Sequence, residues 1–232
     1  MFDEEYGERV VLDDGTAIGL GLVRPRDRGL MLDAWERLSP ESRYQRFHAV
    51  KKCLTEADLR YLTELDLVDH LAIGAVHSHG GVREGLGVAR FVRLAGRPQR
   101  ADFAVTVIDD WQRKGVGRAL LTRLMAAARE RGIERFESSV LATNAPMRRL
   151  IKSVAPDSTE RADGRLLAVE VPLAFAGSSF RVTPDDRADR PPTSPPPSRW
   201  PFSLRSTTLA RWPPSTRRRA RPAPRREGNA VP

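Results

Sequence analysis

The chain has 232 residues, 40% of them hydrophobic, which is enough for one large domain or two small ones and for a sizeable core. The single cysteine, Cys53, excludes an internal disulfide, and no apolar run reaches the length of a membrane span. With an acidic start, Met-Phe-Asp-Glu-Glu, that lacks the form of a signal peptide, these features point to the cytoplasm. Of the net charge of +9, residues 177–232 carry +8, so the basic balance says little about what the rest binds.

Residues 1–13 read as a loose polar lead-in that ends at the Asp14-Gly15 turn. Thr16 to Val23 reads as a first strand. A helix follows Arg24-Pro25, with Met31, Trp35 and Leu38 at helical spacing. Ser39-Pro40-Glu41 restarts a helix, Ser as N-cap and Pro at the first helical position. Thr55-Glu56-Ala57-Asp58 has the form of a capping box and opens a third helix bearing Leu59, Leu62 and Leu65. Strands are expected over 71–76 and 86–94, with His77-Ser78-His79-Gly80-Gly81 as the turn between them.

The central strand runs from Ala101 to Ile108. Ala101, Phe103, Val105 and Val107 share one face, and Asp102, Ala104, Thr106 and Ile108 the other. Asp109-Asp110 ends it, and Gln112-Arg113-Lys114-Gly115-Val116-Gly117-Arg118 leads into a helix with an apolar stripe of Val116, Leu120, Leu124, Ala127 and Ala128. Glycines at a helix start expose backbone whose first amides have no partner inside the helix, an arrangement suited to phosphate. Two familiar phosphate loops fit poorly. Leu120 stands where a dinucleotide loop needs its third glycine, and Lys114 precedes Gly115 where a P-loop lysine would follow glycine. Gly132 is the expected helix terminator. A strand over 133–141 follows, then a helix opened by Asn144-Ala145-Pro146. Asp163-Gly164 turns into a last strand over 165–174.

From Gly177 the sequence holds 12 of the 18 prolines and the run Arg217-Arg218-Arg219, without apolar periodicity. This stretch, 177–232, reads as a disordered tail. Two readings stand for it: a basic arm for nucleic acid or acidic lipid, or a solvated tail with no partner. No cluster has metal-ligand spacing, and no metal is expected.

The pattern Gln112-x-x-Gly115-x-Gly117 resembles the acyl-coenzyme A loop of the GNAT acetyltransferase superfamily. The segment Leu38-Ser39-Pro40-Glu41-Ser42-Arg43-Tyr44-Gln45-Arg46-Phe47 is similar to the bacterial protein-lysine acetyltransferases of the Pat type. So are Asp69-His70-Leu71-Ala72, Gly87-Val88-Ala89-Arg90-Phe91 and Ala101-Asp102-Phe103-Ala104-Val105. The resemblance implies an α/β (α+β) GNAT fold over 14–176, a mixed twisted sheet flanked by helices. It implies acetyl-CoA as co-substrate and an amine acceptor, a protein lysine or a small molecule.

By the same resemblance, Val105, Thr106 and Val107 would face the pantetheine arm. Gln112, Arg113, Lys114, Gly115, Val116, Gly117 and Arg118 would form the pyrophosphate loop. Asn144 would bond the coenzyme or serve as a plain N-cap. Asp102 would be the general base, although the Pat type usually has Glu there, and a strand-edge surface Asp is the other reading. His48, His70, His77 and His79 are rival bases. Ile151 stands where many of these enzymes carry a Tyr acid, which keeps open a second function, an acyl-CoA sensor without turnover.

Overall fold

A computed structural model of the chain describes residues 1–173. The tail expected over 177–232, and with it any nucleic-acid arm, lies outside the described residues. Among the described residues, eight strands form one sheet in the order β1-β2-β3-β4-β5-β6-β8-β7. They are β1 Gly7–Val11, β2 Ala17–Leu22, β3 His70–His79, β4 Val82–Leu94, β5 Arg97–Val107, β6 Arg135–Leu141, β7 Thr159–Asp163 and β8 Leu166–Pro172. Every neighbouring pair is antiparallel except β5 with β6. The helices are α1 Arg28–Glu36, α2 Pro40–Phe47, α3 Glu56–Thr63, α4 Val116–Glu130 and α5 Ala145–Val154. A mixed sheet flanked by helices is therefore present as expected.

The helix starts form where the sequence signals them. The Ser39 side chain accepts from the Ser42 N–H, with Pro40 in the first turn of α2. Thr55 and Asp58 complete a reciprocal box at α3. At the end of α4, Gly132 takes φ 71°, its N–H donates to the Arg129 carbonyl, and the Ile133 N–H donates to the Ala128 carbonyl. That is a Schellman closure, and it turns the chain directly into β6.

Three expectations need correction. Residues 1–13 are not a loose lead-in: β1 pairs with β2 along its whole length, and Phe2 and Leu12 are buried. The Arg123 guanidinium on α4 grips Glu8 through both carboxylate oxygens, and Arg131 donates to the Phe2 carbonyl. The expected Asp163-Gly164 hairpin turn is present, and the strand before it, β7, which was not expected, lies at the far edge of the sheet. His77, Ser78 and His79 belong to β3, and Gly80-Gly81, both at positive φ, make the turn alone.

The middle of the sheet is where the fold becomes specific. Between β3 and β4 the register shifts: Ala75 faces Gly87 and Val76 faces Gly85, leaving Leu86 as a bulge. The Leu86 carbonyl accepts from the Ile108 N–H. A Cβ at Gly87 would lie 2.5 Å from the Thr106 carbonyl oxygen, and one at Gly85 3.0 Å from that of Leu30. Gly87→Ala should therefore push β4 from β5 and cost about 1–3 kcal/mol, read as a fall in denaturant midpoint.

Candidate active site

β5 and β6 run parallel but pair only at Arg100–Arg135 and Ala101–Phe136. Two residues later on each strand the backbones have parted far enough for a side chain to bridge them, the Ser138 hydroxyl donating to the Phe103 carbonyl at 2.9 Å. Beyond that point β6 stays with β8 and β5 stays with β4. The sheet thus opens into a cleft along the last residues of β5.

The hydrogen-bond phase decides which groups face the cleft. The Ile108 N–H points to β4, so in an antiparallel pair the even-numbered residues of β5 spend their backbone groups there. The odd-numbered ones point the other way, as the bonds to the Phe103 and Val107 carbonyls confirm. Gln112 Nε2 occupies the Val107 carbonyl at 3.2 Å. The N–H groups of Val105 and Val107 and the carbonyl of Val105 are left facing the cleft. Thr106, named with them from the sequence, has its backbone turned to β4 and its side chain toward α1–α3.

The loop at the mouth of the cleft is built by backbone conformation. Arg113 and Gly115 both adopt positive φ, 61° and 91°, and Gly115 caps α4. The N–H groups of Val116, Gly117 and Arg118 begin the helix without intrahelical partners, at its positive end. Arg113, Lys114 and Arg118 are exposed around them, with the Lys114 ammonium over the Trp111 ring. The Val116 side chain is fully buried in the core, so only its amide belongs to the loop. At Gly117 a Cβ would lie 3.2 Å from Leu150 and 3.7 Å from Val107, which brings α4, α5 and β5 close together.

Gln112 and Asp109 do work that sequence reasoning assigned otherwise or missed. Besides Val107, the Gln112 amide donates to Asp109 Oδ1 at 2.8 Å and to Ser42 Oγ at 3.3 Å. The Asp109 carboxylate accepts from the Ser39 N–H and the Ser42 hydroxyl at the start of α2. This staple ties the end of β5 to α2 and leaves the Gln112 side chain committed inside the protein. The signal was an acid placed to meet a Ser-Pro helix start, and only tertiary pairing reveals it. Asn144 Oδ1 caps α5 by accepting from the Met147 N–H at 3.1 Å, which realises the N-cap reading. Ile151 is fully buried in the core.

Asp102 lies on the opposite face of β5 from Val105 and Val107, the face of Ala104 and Thr106. Burial pushes its carboxyl above the usual value, while the Ser138 hydroxyl and the Arg46 guanidinium pull it back. His70 is a poor rival base: burial and the neighbouring Arg90 press it down to about 3, and its Nε2 already meets Arg90 Nη1 at 3.1 Å. Burial lowers His48 as well. His77 and His79 lie at the far end of β3, where His77 packs against Trp111.

The depressed His70 carries a stability prediction. The unfolded chain binds a proton here below about 6.5 that the fold refuses until about 3. Stability should be intact above 6.5 and fall as pH drops through that window. Melting temperatures across it should decline, and His70→Asn should flatten the decline.

Residues 33–154 match the Acetyltransferase (GNAT) family. Over 129 residues the chain is 36% identical to the acetyltransferase Pat of Mycolicibacterium smegmatis, covering 56% of this chain and 38% of that protein. Over 140 residues it is 33% identical to an acetyltransferase of Pseudomonas aeruginosa, covering 60% of this chain and 74% of that one. The crystal structure of the GNAT domain of S. lividans PAT superposes with a TM-score of 0.67 at 29% identity, over 74% of this chain and 99% of that one. The chain thus spans well under half the length of the M. smegmatis protein and nearly all of the S. lividans domain. The opened β5–β6 pair, the glycine-capped α4 and these matches agree, and the chain belongs to the GNAT acetyltransferase family.

Proposed function

We propose that the chain transfers an acetyl group from acetyl-CoA to an amine by direct attack, both substrates being bound together. The observation that carries this is the pair of Val105 and Val107 N–H groups facing the β5–β6 cleft, next to the amide-rich start of α4. The pantetheine arm would run along β5 and pair with these groups as a missing strand would. The pyrophosphate would sit on the N–H groups of residues 115–118, with Arg113, Lys114 and Arg118 around it. A strand N–H would polarise the thioester carbonyl. Asn144, whose oxygen is spent on the cap, would have only its amide N–H groups left for the coenzyme.

The amine nitrogen attacks the carbonyl carbon. The new C–N bond forms and the C–S bond breaks. The thiolate leaves with the bonding pair and takes a proton, and the amine gives its proton to Asp102, directly or through water. A thiol of pKa about 8.5 is a fair leaving group, so the buried Ile151 in place of a Tyr acid is tolerable. A lysine-like amine of pKa about 10.4 must shed a proton first, and the burial that raises Asp102 brings its basicity closer to that task. The exposed single Cys53 suits a reducing compartment, and we place the protein in the cytoplasm.

Free thiol measured after mixing the full chain, acetyl-CoA and a panel of amines tests this reading. Amine-dependent release that accelerates as pH rises is expected. Tight coenzyme binding with no amine-dependent release would make the chain a sensor instead.

A further inference from the structure

Under α1–α3, on the Asp102 face of β5, lies a pocket with an apolar lining that includes Trp35, Phe47 and Leu62 and a floor that includes Ala104 and Thr106. Its charged lining is Arg46 and Arg90. Arg90 is buried and two of its five donors meet neutral partners, the Leu62 carbonyl at 3.0 Å and His70. The Arg46 guanidinium stacks over the Phe47 ring at 4.9 Å. Asp102 is the carboxylate whose field reaches Arg46, and the charges acting on Arg90 are Arg46 and the Tyr61 phenol. Burial and Arg46 together lower Arg90 to about 9, which reflects two cations sharing a poorly solvated site.

Two guanidiniums and no carboxylate stand in the lining of this pocket, so positive charge there is costly in an apolar setting and a bound anion would offset it. Guanidinium forks match carboxylates in geometry. The cavity measures about 60 Å³. At roughly 10–15 Å³ per water, that is space for a few waters, the size of a carboxylate and the carbons next to it. Ala104 and Thr106 lie on the same face of β5 as Asp102, so an amine attached to such an acid would sit within reach of the strand that holds the thioester.

We propose that Arg46 and Arg90 anchor the carboxylate of the acceptor, which is a small amine of the amino-acid type with its amine turned toward Asp102. This rests on the acetyl-transfer reading and adds to it the substrate class. Arg46 and Arg90 would set specificity without touching the reacting atoms.

The test compares free amino acids with their carboxamides, and both with lysine peptides that lack neighbouring acids, as acceptors for the full chain. Thiol release should favour at least one free acid over its carboxamide by roughly ten- to a hundredfold in kcat/KM. Arg46→Gln should collapse that ratio chiefly through KM, and Arg46→Lys should restore part of it. Among the described residues Arg46 makes no side-chain hydrogen bond, so melting temperature should hold for both variants. Equal use of acid and amide, an unchanged ratio in Arg46→Gln, or preference for the lysine peptides would overturn the proposal. A saturation-transfer NMR titration of the same acids and amides against the coenzyme A-bound protein keeps the two readings apart. Arg46-dependent binding of acids without thiol release would sink the transfer reading and leave the anion site standing. Neither binding nor discrimination would sink the anion site alone if peptides are acetylated.

Discussion

Asp102→Asn should lower kcat by roughly two to four orders of magnitude and leave acetyl-CoA affinity near wild type. The side chain lies across β5 from the groups proposed to hold the coenzyme, so removing its charge should disturb proton transfer and, through Arg46, the acceptor pocket, and leave the coenzyme site alone. The same substitution should not destabilise the fold. Burial raises the Asp102 pKa, so the protonated form is the one the fold prefers. Its contribution to stability is greatest below the unfolded pKa of 3.8 and is lost as pH rises through the raised folded value. At neutral pH the neutral Asn should hold or raise the melting temperature. A residue that costs stability and supplies rate is what a base in a buried site looks like. Asp102→Glu, with the longer reach, should keep substantial activity. Full kcat in a folded Asp102→Asn protein would move the base to water or to another group.

Gly115→Val should weaken acetyl-CoA binding by roughly a hundredfold or more. The backbone there stands at φ 91°, a region that a β-branched residue occupies only at a cost of about 1–3 kcal/mol. Relaxing it would turn the first amides of α4 away from the phosphate, losing about 1.5–3 kcal/mol for each bond to a charged group. At about 1.4 kcal/mol per decade, the combined loss exceeds two decades. Gly117 acts differently. A side chain there would meet Leu150 and Val107 instead of the phosphate. Gly117→Ala should be mild because the Leu150 methyl can shift, while Gly117→Val should separate α4 from α5 and β5. Isothermal calorimetry with circular dichroism as the fold control reads both, and unchanged affinity in a folded Gly115→Val protein would remove the loop from the site.

The sequence made the helices and the inner strands legible because each signal was local: Ser39-Pro40, the Thr55–Asp58 box, the Gly132 stop and the alternation along β5. The two edge strands were missed for one physical reason. Gly-Glu-Arg-Val-Val in β1 and Thr-Glu-Arg-Ala-Asp in β7 carry the exposed charge that protects a sheet edge from aggregation, and that charge hides them among loops. The cleft was legible only through resemblance, because no residue of β5 announces where β6 will leave it. Hydrogen-bond phase, which separates Val105 and Val107 from Thr106, is set by pairing with β4 and needs the fold. Arg46 and Arg90 read as ordinary surface charges on a helix and a strand. The burial of Arg90 and the place of Arg46 in the pocket lining come from the way α1–α3 fold over β4 and β5, far apart in sequence.

Backbone amide exchange of the full chain, with and without acetyl-CoA, tests the central claim most directly. The N–H groups of Val105 and Val107 face an open cleft, and that of Thr106 is already bonded to β4. Acetyl-CoA should slow exchange strongly at Val105 and Val107 and across residues 115–118, and change Thr106 little. Coenzyme binding that protects amides elsewhere and leaves Val105, Val107 and the start of α4 exchanging as before would contradict the account.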